Sequence, residues 1–168
     1  MKVFKHLLVL FIAGLLMACG GKKEEKKEGF SYEKKSNSSQ ELESNPNDVV
    51  ITSNDAMQFN KKEIIVKAGE PVKITLKHIG KMDKKVMGHN FVLLKQGVDL
   101  VAFGNKAATF GSNEYIPTDT QDIIAHTKLI GGGETAVIEF DAPEKGTYDF
   151  LCSFPGHYAL MKGKFIVE

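Results

Sequence analysis

From Asp48 to Glu168 the apolar residues come in short runs, each bounded by turn formers. Val49–Ile51, Glu63–Val66, Val72–Leu76, Phe91–Leu94, Ala136–Phe140, Tyr148–Leu151 and Lys164–Val167 are the runs. Ala68-Gly69 closes the second, and Gly131-Gly132-Gly133 precedes the fifth. Val72-Lys73-Ile74-Thr75-Leu76 alternates apolar and polar residues, the period of a strand with one buried face. Phe91–Leu94 is apolar throughout and reads as a fully buried strand. Many short strands with frequent turns predict an all-β fold, an antiparallel β-sandwich. Residues 97–117 break the pattern and contain Ala107-Ala108. They read as an excursion with a short helix, outside the sandwich.

What precedes Asp48 has a different texture. Lys2 and Lys5 lead into an apolar stretch from Leu7 to Met17, too short to span a bilayer but suited to a signal peptide. Leu16-Met17-Ala18-Cys19 has the form of a bacterial lipobox, which makes 1–18 a lipoprotein signal and Cys19 the lipidated N-terminus. A plain secretory signal cleaved after Ala18 is the alternative. Residues 19–47 continue with Lys22-Lys23-Glu24-Glu25-Lys26-Lys27-Glu28 and a Ser/Asn/Glu-rich run. So polar a stretch buries too little surface to fold and reads as a flexible charged tether. The domain is then 48–168. Localisation follows as the bacterial cell envelope, lipid-anchored, facing the periplasm or the outer surface.

Charge excludes one function class. All 22 basic residues are Lys, set against 21 acids. A near-neutral chain without Arg offers no case for nucleic-acid binding. With Cys19 assigned to the anchor, Cys152 has no partner for a disulfide. A lone thiol in an oxidising compartment survives when it is buried or metal-bound.

Cys152 sits in Cys152-Ser-Phe-Pro-Gly-His157-Tyr-Ala-Leu-Met161, a C-x4-H-x3-M segment. A second imidazole is offered by Met87-Gly88-His89-Asn90. Two His, one Cys and a weak Met form the ligand set of a mononuclear blue-copper site, because that mixture suits both Cu(I) and Cu(II). His89, Cys152 and His157 are the expected planar ligands and Met161 the axial one. The Gly88 carbonyl is expected to lie close by. Backbone N–H groups of Asn90 and Phe154 are expected to point at the sulfur. A single Cys in the loop argues against a binuclear centre, and a Met ligand against structural zinc. Four protein ligands leave no place for a substrate, so the chain does not read as an enzyme. Met57, Met82, Met87 and Pro155 are candidates for an apolar collar around the edge of His157, suited to small redox contacts. His78 ends a predicted strand and reads as a core histidine. His126 reads as surface or structural.

These segments resemble the azurin family of blue copper proteins. The resemblance rests on Asn54–Asn60, Val86–Asn90, Ile124–Gly131 and Cys152–Gly163, and extends from about Val49 to the C-terminus. It implies a Greek-key (cupredoxin-like) sandwich and one type 1 copper ion held by His89, Cys152, His157 and Met161, with the Gly88 carbonyl as a distant fifth ligand. It also implies an electron port at His157, a buried pH-responsive histidine at His78, and no catalysis. The lipobox and tether resemble those of lipid-modified azurins. Redox proteins such as c-type cytochromes or a terminal reductase are the implied partners. A copper-buffering or copper-delivery lipoprotein is the alternative reading. Two departures stand out: Asn47 and Gly69 occupy the positions of the family's usual disulfide, and Phe91 that of a core Trp.

Overall fold

The computed structural model describes residues 45–168. The signal peptide, Cys19 and the tether up to residue 44 lie outside the described residues. Nine strands form two sheets. The first sheet has the order β2-β1-β4-β7, from Gln58–Phe59, Asp48–Asn54, Pro71–His78 and Thr135–Asp141. The second has the order β3-β9-β8-β5-β6, from Glu63–Val66, Lys162–Val167, Gly146–Leu151, Val92–Leu94 and Ile123–His126. Two helices interrupt the strands, α1 (Lys84–Met87) and α2 (Leu100–Ala107). The helix expected within 97–117 is α2, followed by a 3-10 turn at Gly111–Asn113.

Inward positions follow the period-2 rule. On β4, Val72, Ile74 and Leu76 are buried while Lys73 and Thr75 face outward. They meet Phe91, Phe150 and Phe165, all wholly buried, in a core shared by both sheets. The Phe91 and Phe150 rings pack at 5.3 Å between centroids. The other side of the second sheet carries a smaller core. There Val92, Leu94 and Leu151 are covered by Phe103 and Ala107 of α2 and by Ile116.

The expectation of antiparallel pairing needs one correction. Five ladders are antiparallel, but β1 runs parallel to β4 and β3 parallel to β9. Alternation reports which face of a strand is buried, not the direction of its neighbour. β2 and β6 had no clear signal: β2 has two residues, and no position of Ile123–His126 is fully buried.

One end of the sandwich, here called the upper end, gathers the ends of β1, β4 and β8 with the starts of β5 and β9. The tether boundary lies at the lower end. Asn47, placed in the tether by sequence, is buried there. Its Oδ1 accepts from Lys67 N–H at 2.8 Å, and its Nδ2 donates to the carbonyls of Lys67 and Glu70 at 3.0 and 3.3 Å. These bonds tie the start of β1 to the β3–β4 turn, where Gly69 takes φ +75°. Asn47 thus joins these two segments through hydrogen bonds alone. Asn47→Ala leaves these backbone groups unpaired and should lower unfolding stability by about 2 kcal/mol. Urea denaturation checks this, and a loss below about 0.5 kcal/mol would show the bonds to be incidental.

Candidate metal centre

Cys152 follows the last residue of β8, and its N–H donates to the Met161 carbonyl at 2.9 Å, just before β9 begins. The intervening loop is therefore closed at its base by sheet-like pairing. Gly156 turns the chain at φ +80°, a conformation that favours glycine. A 3-10 turn, His157–Ala159, follows. Within the loop His157 N–H donates to Phe154 C=O at 3.0 Å, and Met161 N–H to His157 C=O at 2.7 Å. His89 comes from the segment between α1 and β5, pinned to Ile130 by two backbone hydrogen bonds of 2.9 Å.

These elements bring three donor atoms together. Sγ of Cys152 lies 3.8 Å from Nδ1 of His89 and 3.7 Å from Nδ1 of His157. All three donors fall within 4.8 Å of one another. Donors bound at about 2.0–2.3 Å to one ion at the centre of a trigonal plane stand about 3.5–3.8 Å apart, so the spacing fits a metal ion. The Gly88 carbonyl is 3.9 Å from Sγ, close to the cluster as expected. A Cβ on Gly88 would collide with the Lys84 carbonyl and the Leu129 side chain, so the residue is required by packing against α1. Met161 is wholly buried in the same core cluster as Cys152.

Hydrogen bonds select the tautomers. Nε2 of His89 faces the Asn54 carbonyl at 3.0 Å, and a carbonyl only accepts, so the proton sits on Nε2. That leaves the Nδ1 lone pair toward the cysteine sulfur. His78, buried as expected, stacks on His89 at 4.5 Å between centroids. Its Nδ1 accepts from Gly80 N–H at 3.0 Å and its Nε2 donates to Met87 C=O at 3.0 Å. His126 is exposed on β6, away from the cluster.

Burial sets the charge of the site. Desolvation pushes the Cys152 thiol up to about 12, although N–H groups of Asn90 and Phe154 pull the other way. Desolvation holds His89 and His157 down to about 4. At neutral pH the donors are a thiol and two neutral imidazoles.

Three supporting residues escaped the sequence reading. Ser153 donates through its N–H to Asn90 Oδ1 at 2.8 Å and accepts from Asn90 Nδ2 at 2.8 Å, locking the residue after the cysteine to the one after His89. Tyr158, the neighbour of His157, lays its ring on Gly104 of α2 and donates from its hydroxyl to Asn105 Oδ1 at 2.8 Å. A Cβ on Gly104 would lie 2.5 Å from that ring. The helix read as an excursion outside the sandwich therefore braces the ligand turn. An isolated glycine in a helical pattern was the available signal.

The proposed collar is partly exposed. Met57 and Met87 are half-buried, while Met82 and Pro155 are exposed. The Phe154 ring stacks against His157 at 4.5 Å. Sequence reasoning passed over Ile79, Val86 and Leu160, which are 65%, 61% and 55% exposed.

Comparison with known proteins agrees with this geometry. The family described as "Copper binding proteins, plastocyanin/azurin family" matches residues 46–168. The chain belongs to that family. Azurin-1 of Alcaligenes xylosoxydans xylosoxydans is 49% identical over 119 residues, covering 68% of this chain and 92% of the relative. Outer membrane protein H.8 of Neisseria meningitidis serogroup B is 47% identical over 118 residues, covering 68% of this chain and 63% of the relative. Among solved structures, auracyanin A, a "blue" copper protein from Chloroflexus aurantiacus, superposes with a TM-score of 0.66 at 35% identity, covering 72% of this chain and 98% of that one. The azurin Az-iso2 of Methylomonas sp. strain J gives 0.67 at 32% identity, with 72% and 97% covered. The cofactor is one copper ion. Family and donor arrangement together support a blue copper electron carrier.

Two measurements follow from the site. Copper loading at neutral pH should release one proton per ion, from Cys152, because the thiol is protonated until metal displaces its proton. Affinity should rise about tenfold per pH unit above about pH 4, and fall more steeply below it as both imidazoles take up protons. Copper titration across pH checks this, and a pH-independent affinity near neutrality would mean that the thiol is already ionised. Second, Gly104→Ala should destabilise the fold by about 1–3 kcal/mol. In an ordinary helix interior the same change stabilises by about 0.5–1 kcal/mol. With Tyr158→Ala in place the ordinary sign should return, and a double-mutant cycle reads the difference.

Proposed function

We propose that this chain is a one-electron carrier at the bacterial envelope, in which His89, Cys152, His157 and Met161, with the Gly88 carbonyl beside them, would hold copper. When bound, the copper takes up and gives back one electron. The observation that carries the proposal is the exposure of the donors. His89, Cys152 and Met161 are wholly buried, and His157 is 4% exposed, so one ligand alone reaches the surface. That arrangement keeps water and substrates off the site while leaving one imidazole edge for electron exchange.

The protein's contribution is to fix the donors before metal arrives. The loop is tied by Cys152–Met161, Met161–His157 and His157–Phe154 backbone bonds, none of which involves a donor atom. Asn90 and Tyr158 hold it from two further sides. A frame of this kind permits little movement between oxidation states, which is what makes electron transfer fast. Phe154, Pro155, Met57, Met82 and Met87 form the apolar surroundings through which a redox protein, a c-type cytochrome or terminal reductase, makes contact.

The domain reading is 1–18 as signal, 19–47 as lipidated tether and 48–168 as copper domain. An envelope-named relative supports it, H.8 being called an outer membrane protein. Among the described residues no helix is long and apolar enough to cross a membrane.

Cu(II) added to the protein should produce an intense blue thiolate-to-copper band, and Cys152→Ser should remove the band while the fold survives. A folded but colourless wild type would sink the proposal. Slow electron self-exchange with ready copper release would point to buffering instead. Cys19→Ala should move the protein from the membrane to the soluble fraction of expressing cells. Unchanged membrane retention would overturn the lipid anchor.

A further inference from the structure

We propose that the upper end is a docking face for a redox protein whose exposed cofactor edge is ringed by Asp and Glu. The inference rests on the electron-carrier reading and adds the polarity of the partner. It starts from where large apolar side chains reach solvent. Ile79, Met82, Val86 and Leu160 all lie on the connections that close the upper end, between β4 and β5 or just after His157. The remaining exposed examples, Val50, Ile65, Val101 and Val137, are scattered over strands and α2. A concentration of exposed apolar surface beside His157, the one ligand not wholly buried, marks an interaction site.

Charge then selects the partner. The upper-end connections also carry Lys62, Lys81, Lys84, Lys85, Lys128 and Lys162, all exposed. The carboxylates interspersed with them are Asp55, Glu63, Asp83, Glu114 and Glu134, and all but Glu63 also serve as struts while keeping their charge. Asp55 accepts from the N–H groups of Lys81 and Met82, Asp83 from Lys85, Glu114 from Leu129, and Glu134 from Gly131. Glu114 also meets Lys84 at 3.6 Å. Those acids brace the loops, and the six lysines exceed the five carboxylates of this end by one.

The lower end has the opposite balance. Glu70, Asp122, Asp141, Glu144 and Glu168 stand there against Lys67, Lys95 and Lys145. The two ends of the sandwich therefore differ in charge, with a lysine excess at the His157 end and a carboxylate excess at the other. A field of this shape turns the port toward an anionic surface and repels a cationic one. The apolar centre excludes water once contact is made, and the lysine rim sets which partner arrives.

The test uses the full chain with two oxidants of opposite charge, hexacyanoferrate(III) and tris(phenanthroline)cobalt(III), on the reduced copper-loaded protein. Raising salt to about 0.15 M shortens the screening length to about 8 Å. The anionic oxidant should slow by about threefold or more and the cationic one should quicken. Lys81→Glu with Lys85→Glu should flatten or reverse both trends and leave the blue band unchanged. Equal salt dependence for the two oxidants would overturn the proposal. A second arm needs no copper. Polyglutamate added to the metal-free protein should shift backbone amides of residues 79–87 and 155–160, and polylysine should not. Shifts at the lower end, or the same shifts with both polymers, would also overturn it. A missing blue band with the polyglutamate footprint intact would instead overturn the electron-carrier reading and leave the acidic docking face standing.

Discussion

Removal of water from Cys152 governs much of what this molecule is. A thiolate at full burial is costly, and the pocket offers only two N–H donors to soften that cost. Both imidazoles feel the same penalty in the opposite direction. The metal-free site therefore rests as an uncharged cluster inside a close-packed core, compatible with the phenylalanines beneath it. The fold need not be held apart by repelling charges while it waits for metal. Its donors are kept in position by neutral contacts, the Asn90–Ser153 lock and the backbone bonds of the ligand loop.

That dependence explains why supporting residues are spread so widely. The donor loop is short, and its own bonds fix its outline but not its placement on the sheet. Placement comes from two directions, Asn90 from the segment before β5 and Gly104 from α2, while the Asn54 carbonyl at the end of β1 sets the His89 ring opposite. The smaller core beneath α2 has a purpose in this scheme. Phe103 and Ala107 seat the helix on the second sheet, so that Gly104 meets Tyr158 at a fixed height. Two hydrophobic cores, one on each side of that sheet, converge on the same ligand turn.

The legibility of the sequence divides along physical lines. Strands with strict alternation, such as β4, declare themselves because period and burial coincide. β6 does not, since its residues are uniformly half-buried. The parallel pairs were invisible because a side-chain pattern carries no record of its neighbour's direction. Among site residues, Cys152, His157 and His89 were legible through chemistry: sulfur and imidazole at a fixed spacing have few other uses. Gly104 and Ser153 have no such chemistry. Their roles consist of contacts with residues 54 and 63 positions away, and a linear reading has no access to those contacts.

The Asn47 staple has a geometric consequence. β1 begins beside it and runs seven residues, about 20 Å, to Asn54, whose carbonyl holds the His89 ring. The point where the preceding chain joins the domain and the point where His157 meets solvent therefore sit at opposite ends of one rigid strand. The described chain thus enters the sandwich at the end far from the donor cluster.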